Sequence, residues 1–219
     1  VVGCKQHHTA ELATAEKAVT VLKNANNTLP LKTTDKAAFF YPYTGEADSL
    51  TFGVHTVNPS LNVPTYCYRN SSADDYNNVI KSVSTLIIYT EAYSASYFNP
   101  SSASGWQAVF VQDMINKAHS LGKKVVIVSI HLPYDVAKYT NADAILLAYG
   151  AKDMKTVPTK WNGEVKTFGI NIPASAAVIF GGAKPQGKLP VDIYRLDSNN
   201  QYTSQILFPL GTGLSLNFN

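Results

Sequence analysis

The sequence predicts an α/β fold: a doubly wound, mainly parallel sheet flanked by helices on both faces, an α/β sandwich. Three observations carry that prediction. Short apolar runs at 37–41, 85–90, 125–130 and 144–148 have the unbroken hydrophobicity of parallel strands buried on both faces. Helical patterns separate the later runs, and strand, helix, strand at this rhythm implies right-handed crossovers. With 219 residues, 45% of them hydrophobic and 15% charged, the chain suits one core that needs no metal or disulfide staple.

Taken in order, residues 1–8 read as a linker remnant with a solvated His7-His8 pair, and 9–219 as a single domain. Thr9 is the expected N-cap of a helix over 9–24, whose stripe is Leu12, Ala15, Ala18, Val19 and Leu22. Leu29-Pro30-Leu31 sets an extended stretch, because proline restricts its predecessor. After the first apolar run, 43–69 yields only a strand near 65–68 behind a proline-bearing loop. A helix over 74–83 has Ser71 or Ser72 near its cap. A longer one over 105–121 buries Ala108, Val111, Ile115 and Ala118 and stops at Gly122. Residues 151–172 read as a long loop with a hairpin around Asn162-Gly163. A helix over 173–180 starts on proline, ends at Gly181-Gly182, and leads through Gly187-Lys188-Leu189-Pro190-Val191 into a strand.

Composition excludes several functions. The net charge is only +3, the arginines are Arg69 and Arg195, and no lysine run exceeds Lys123-Lys124, which argues against nucleic acid as a partner. Cys4 and Cys67 allow one disulfide but fit no zinc spacing, so neither metal nor cofactor is expected. No segment reads as a membrane span. A surface rich in Asn, Ser, Thr and Tyr and poor in Arg and Glu leans towards an extracellular or cell-surface protein. The opening Val1-Val2-Gly3 reads as a piece of a longer precursor. A G-x-S-x-G elbow and a Walker sequence are both missing, and Gly211-Thr212-Gly213 has no helix after it to make a dinucleotide fingerprint.

In an open parallel sheet, ligands bind beyond the carboxyl ends of the strands. Those ends carry Tyr41-Pro42-Tyr43, Glu91-Ala92-Tyr93, His131-Leu132-Pro133-Tyr134-Asp135 and Tyr149-Gly150. Glu91, Tyr93, His131, Tyr134 and Asp135 are therefore the substrate-cleft candidates: carboxylates, an imidazole, and rings able to stack on sugar faces. Each has a structural reading beside it. Tyrosines at strand ends close the core, Asp135 caps the turn that Val136 begins, and Glu91 is a solvated loop acid. His119 suits a helix C-terminus, while Trp106 reads as packing and Trp161 as surface.

Four stretches, in order, resemble the C-terminal domain of glycoside hydrolase family 3. They are ATAEKAVTVLKNANNTLPL at 13–31, VVIVSIHLPYDVAKYTNADAILLAYG at 125–150, GKLPV at 187–191 and FPLGTGLS at 208–215. The Pro133-Tyr134-Asp135 turn is similar to that of bacterial β-N-acetylglucosaminidases. The resemblance implies a parent enzyme that removes terminal N-acetylglucosamine from peptidoglycan- or chitin-derived glycans. Its acids would reside in an N-terminal (β/α)8 barrel marked by a K-H-F-P-G-H-G-type motif, which this chain lacks. Retaining hydrolysis needs two carboxyls roughly 5 Å apart. Hence no catalytic residue is assigned here, and the 219 residues alone should be inactive. In the β-glucosidase branch this domain lends an acid/base Glu from a loop, but the surroundings of Glu91 lack that branch's motif. His131 stands where Arg or Gly is expected. The implied partners are the barrel of the same chain and a carbohydrate substrate. Two alternatives stay open: an independent glycan-binding module using the strand-end cleft, and a hydrolase built on Ser129, His131 and Asp135.

Overall fold

Every predicted apolar run becomes a strand of one six-stranded sheet in the computed structural model, which describes residues 5–150, 159–161, 164–166 and 169–218. The strands are β1 (Thr20–Asn24), β2 (Ala37–Tyr41), β3 (Thr65–Cys67), β4 (Thr85–Thr90), β5 (Lys124–Ser129) and β6 (Ala144–Leu147). They lie in the order β1-β6-β5-β4-β2-β3, all parallel except β1, which runs antiparallel to β6. The chain builds β2 and β3, then crosses back to build β4, β5 and β6 on the other side of β2. That reversal is a switch point between the carboxyl ends of β2 and β4, the place where open α/β sheets form a ligand crevice.

Alternation along the strands divides the core in two. Phe39, Ile87, Val126 and Leu146 face one layer, formed by helices α1 (Lys5–Ala18) and α2 (Ala47–Val57) and the later helix Asn171–Ile179. Phe40, Ile88, Ile127 and Leu147 face the other, formed by α3 (Asn77–Ser82) and α4 (Trp106–Ser120). Helix Asn171–Ile179, which is α5, is mostly apolar and almost wholly buried, as its place between α1 and α2 requires. The residues expected inside α4, namely Ala108, Val111, Ile115 and Ala118, are all buried.

Three elements differ from expectation. The first helix begins at Lys5 and ends at Ala18, so Thr9 is interior to it, and the last part of the predicted helix is β1. The spacing of Val19 and Leu22 suits either period. Pairing decides the matter, because β1 covers the free edge of β6, with Thr20 opposite Leu147 and Asn24 opposite Ala144. The second difference is α2, which the sequence does not reveal because Gly53 interrupts its apolar pattern. The third is the predicted helix 74–83, which opens as a 3-10 turn, Ala73–Tyr76, before α3; the Ser72 amide donates to Asp75 Oδ2 at 2.8 Å.

Gly53 is dictated by contact between helices. A Cβ there would lie 2.4 Å from the Pro173 carbonyl oxygen and 2.8 Å from Ala176 Cβ. Alanine normally favours a helix interior over glycine by about 1 kcal/mol. Here the clash with backbone reverses the sign: Gly53→Ala should cost about 1–3 kcal/mol in urea unfolding. A stabilised variant would show that α2 and α5 do not touch in this way.

Past α5, β9 (Ile193–Leu196) and β10 (Tyr202–Phe208) form an antiparallel ribbon that packs on the 3-10 turn Pro133–Lys138. Earlier in the chain, β7 (Thr159–Trp161) and β8 (Glu164–Lys166) pair antiparallel on either side of the predicted hairpin turn. Asn162 and Gly163 themselves lie outside the described residues, as do the Trp161 side chain and Cys4. Cys67, the other cysteine, is half-buried with a free thiol. Among the described residues no helix is long and apolar enough to cross a membrane, and no cluster of His, Cys, Asp or Glu suits a metal.

Candidate functional site

The carboxyl ends of β4, β5 and β6 are held by short polar ties. Asn171, at the start of α5, donates from Nδ2 to the Ala148 carbonyl (2.6 Å) and to that of Ile130 (3.3 Å). Gln107, in the first turn of α4, grips the backbone of Glu91 at two points. Its Nε2 donates to the Glu91 carbonyl (3.0 Å), and its Oε1 accepts from the Glu91 amide (3.1 Å). Gln107 is buried, so this clasp sets where the Glu91 loop leaves the sheet.

Glu91, Tyr93 and His131 meet beyond the carboxyl ends of β4 and β5. The Tyr93 hydroxyl donates to Glu91 Oε1, and the Tyr93 ring meets His131 edge-on at 4.4 Å. Burial, aided by the Glu91 carboxylate, holds the Tyr93 phenol well above its ordinary value, so it stays a donor. At the β2 and β3 ends, the Arg69 guanidinium stacks 4.4 Å from the Trp106 ring centroid and 5.6 Å from that of Tyr43. Trp106 is therefore a packing residue, as expected. Glu46, just before α2, is buried with Oε2 unpartnered; burial first and Glu91 second hold its carboxyl well above the usual range.

Asp135 lies deeper, 1% exposed. Its Oδ2 accepts from Thr90 Oγ1 and its Oδ1 meets Ser129 Oγ, both at 2.7 Å. Ser129 Oγ is also 3.0 Å from the Leu132 carbonyl. One hydroxyl carries one proton, so when Ser129 donates to Leu132 the contact with Asp135 needs a proton on the carboxyl. Burial pushes Asp135 up to about 6, in the same direction. This network ties β4, β5 and the 133–138 turn together; Asp135 lies inside that turn, whose N-cap position is Leu132, so it does not cap it as the sequence suggests. Ser129 is 1% exposed and committed to these partners, so it does not form the exposed elbow a serine hydrolase requires.

Tyr134 belongs to a second group further along the rim. It is partly exposed and lies 6.4 Å from Tyr202 of the β9–β10 ribbon, whose hydroxyl donates to the Tyr134 carbonyl at 3.3 Å. The five predicted candidates thus divide into a strand-end group (Glu91, Tyr93, His131), a rim tyrosine (Tyr134) and a buried acid (Asp135). Gln107, Arg69, Glu46 and Tyr202 were not legible as site residues, since each is brought in by an element distant in the chain.

Away from this group, three of the sequence stretches singled out above converge. The Gly187 amide donates to the Val19 carbonyl (3.2 Å), Leu189 to Thr212 (2.8 Å) and Leu214 to Val21 (2.8 Å). A Cβ on Gly187 would sit 2.1 Å from the Ala18 carbonyl oxygen, which explains glycine there. The model of the glycosyl hydrolase family 3 C-terminal domain matches residues 19–216, which take in 187–191, 208–215 and the first stretch from residue 19 on. The chain belongs to that family.

Solved structures place the family 3 domain in context. A β-glucosidase from Listeria innocua in complex with glucose superimposes with a TM-score of 0.65 at 15% identity, over 98% of this chain and 34% of that one. A fungal multi-domain β-N-acetylglucosaminidase gives 0.63 at 21% identity, over 94% and 21%. A β-N-acetylglucosaminidase from a Paenibacillus species gives 0.60 at 14%, over 85% and 32%. At these identities the likeness is one of fold. The family 3 domain spans about a third or less of each of those chains. No curated protein matches it.

Proposed function

We propose that this family 3 domain is the non-catalytic C-terminal part of an exported β-N-acetylhexosaminidase. The parent would release terminal N-acetylglucosamine from peptidoglycan- or chitin-derived glycans, with this domain packing on an N-terminal (β/α)8 barrel of the same chain and closing over its sugar. The observation that carries the non-catalytic reading is how the strand-end acids are employed. Asp135 is held between Thr90 and Ser129, and Glu91 takes the Tyr93 hydroxyl. Acids engaged in this way build the sheet ends rather than flank a glycosidic bond. The Pro133-Tyr134-Asp135 turn supports the glucosaminidase branch, and composition is what supports a location outside the cell.

The test is hydrolysis of an aryl N-acetyl-β-glucosaminide and the matching β-glucoside, by this chain alone and by the parent enzyme. The parent should prefer the N-acetylated substrate by about a hundredfold or more in kcat/KM, and the chain alone should stay at background. Equal or better turnover of the glucoside by the parent would overturn the substrate assignment. Enzymatic turnover by these 219 residues would overturn the non-catalytic one.

A further inference from the structure

We propose that Arg69 is the anchor of an oxyanion site at the carboxyl end of the sheet, where its guanidinium takes the carboxylate of a small acidic ligand in a bidentate pair. The inference goes beyond the glycosidase reading and does not rest on it. Arg69 follows β3, the neighbour of β2, and is exposed beside the switch point. Its guanidinium is held by one face. The Trp106 ring lies 4.4 Å from it and the Tyr43 ring 5.6 Å, and the two rings meet edge-on at 6.0 Å to form a corner. Fully buried Tyr68 braces Trp106 at 5.7 Å. A guanidinium stacked in this way commits its face and keeps its edge, and its N–H donors all point outward in that plane. Two parallel N–H bonds from such an edge match a carboxylate. The stack also restrains the side chain beforehand, so less rotamer freedom is lost on pairing.

The acids that could neutralise Arg69 are engaged elsewhere. Asp74 pairs with Lys117 at 2.6 Å, Asp75 accepts from the Ser72 amide at 2.8 Å, and Glu91 accepts from the Tyr93 hydroxyl. Among the described residues the guanidinium makes no ion pair. The other arginine, Arg195, lies on β9, and no ring stacks on it among the described residues. Charge selects the ligand. The site carries one guanidinium, and Glu91 acts with it on the Tyr43 phenol, which burial first of all pushes up to about 12 and so keeps as a neutral donor. A dianion such as phosphate would meet the Glu91 carboxylate with twice the repulsion of a monoanion. A carboxylate therefore fits this site better.

The experiment is an NMR titration of the isotope-labelled chain with sodium D-glucuronate, D-glucose and inorganic phosphate at fixed ionic strength. The signals read are the Arg69 Nε–H and the Trp106 indole N–H. Both should shift and saturate with glucuronate, at a Kd on the order of millimolar. Both should stay in place with glucose, which has the same ring and no carboxylate, and phosphate should bind more weakly than glucuronate. Arg69→Lys keeps the charge and loses the fork, so the Trp106 signal should need about tenfold more glucuronate for the same shift. Arg195→Gln should titrate like the wild type. Both arginines are exposed, so neither substitution disturbs the core. Matching shifts with glucose, a drift that never saturates, phosphate binding tighter than glucuronate, or an undiminished titration of Arg69→Lys would each overturn the assignment. None of these outcomes touches the hydrolysis test above, so the two readings fail separately.

Discussion

Phe39→Ala should lower the unfolding free energy by about 3–5 kcal/mol, the largest effect expected of a single side chain here. Phe39 is fully buried in the middle of β2, which parallel strands β3 and β4 flank on both sides. Its ring meets Tyr89 on β4 edge-on at 6.0 Å and Phe180, just past α5, at 6.2 Å. It therefore joins the sheet to the helical layer at the point where the winding reverses. Truncation removes the ring's transfer free energy and leaves a cavity that regular strands on both sides cannot close. Both aromatic contacts, each worth about 0.5–1.5 kcal/mol beyond area, go with it. Urea unfolding with an unchanged slope is the measurement. A loss below about 1 kcal/mol would mean that the layer repacks freely, contrary to close packing.

Wild-type stability should fall as pH rises from about 4 to about 6, and Asp135→Asn should remove most of that fall. The folded-state value of Asp135 is pushed up to about 6 by burial, against an ordinary 3.8. Below the ordinary value both folded and unfolded chains hold the proton, and stability from this group is complete. Through the window the unfolded chain releases its proton while the folded chain keeps it, so the folded state loses ground. Above about 6 the loss levels off near ~3 kcal/mol. An asparagine can accept from Thr90 and donate towards Ser129, as the protonated acid does. The variant should therefore be more stable than the wild type at pH 7.5 and close to it at pH 4. Glu46 and Glu16 are also raised by burial and give slopes of the same sign. The informative quantity is accordingly the difference between the two proteins across the window. Parallel profiles would show that Asp135 is not the group that resists ionisation.

The pattern of residues made the sheet legible where burial was two-sided. Phe39 and Phe40 enter different core layers, and a strand with both faces covered must be apolar at successive positions. Helix α4 was legible for the complementary reason, a single apolar stripe at helical spacing. Residues 20–24 were ambiguous because so short an apolar segment satisfies both periods. At the site, the strand-end rule placed Glu91, Tyr93, His131, Tyr134 and Asp135 beyond the carboxyl ends of the strands, and there they lie. It did not separate the strand-end group from the buried acid.

What the sequence determined by itself is the class of sheet, the identity of its parallel strands and the kinship carried by residues 13–31, 187–191 and 208–215. These depend on local periodicity and on short motifs, each readable within one element. Only the tertiary structure decided that residues 20–24 pair with β6, that α2 can tolerate no side chain at residue 53, and that Gln107 and Tyr202 complete the strand ends. Gln107 reaches Glu91 across 16 residues and Tyr202 reaches Tyr134 across 68. Such contacts follow from how layers stack, which no window of neighbouring residues encodes.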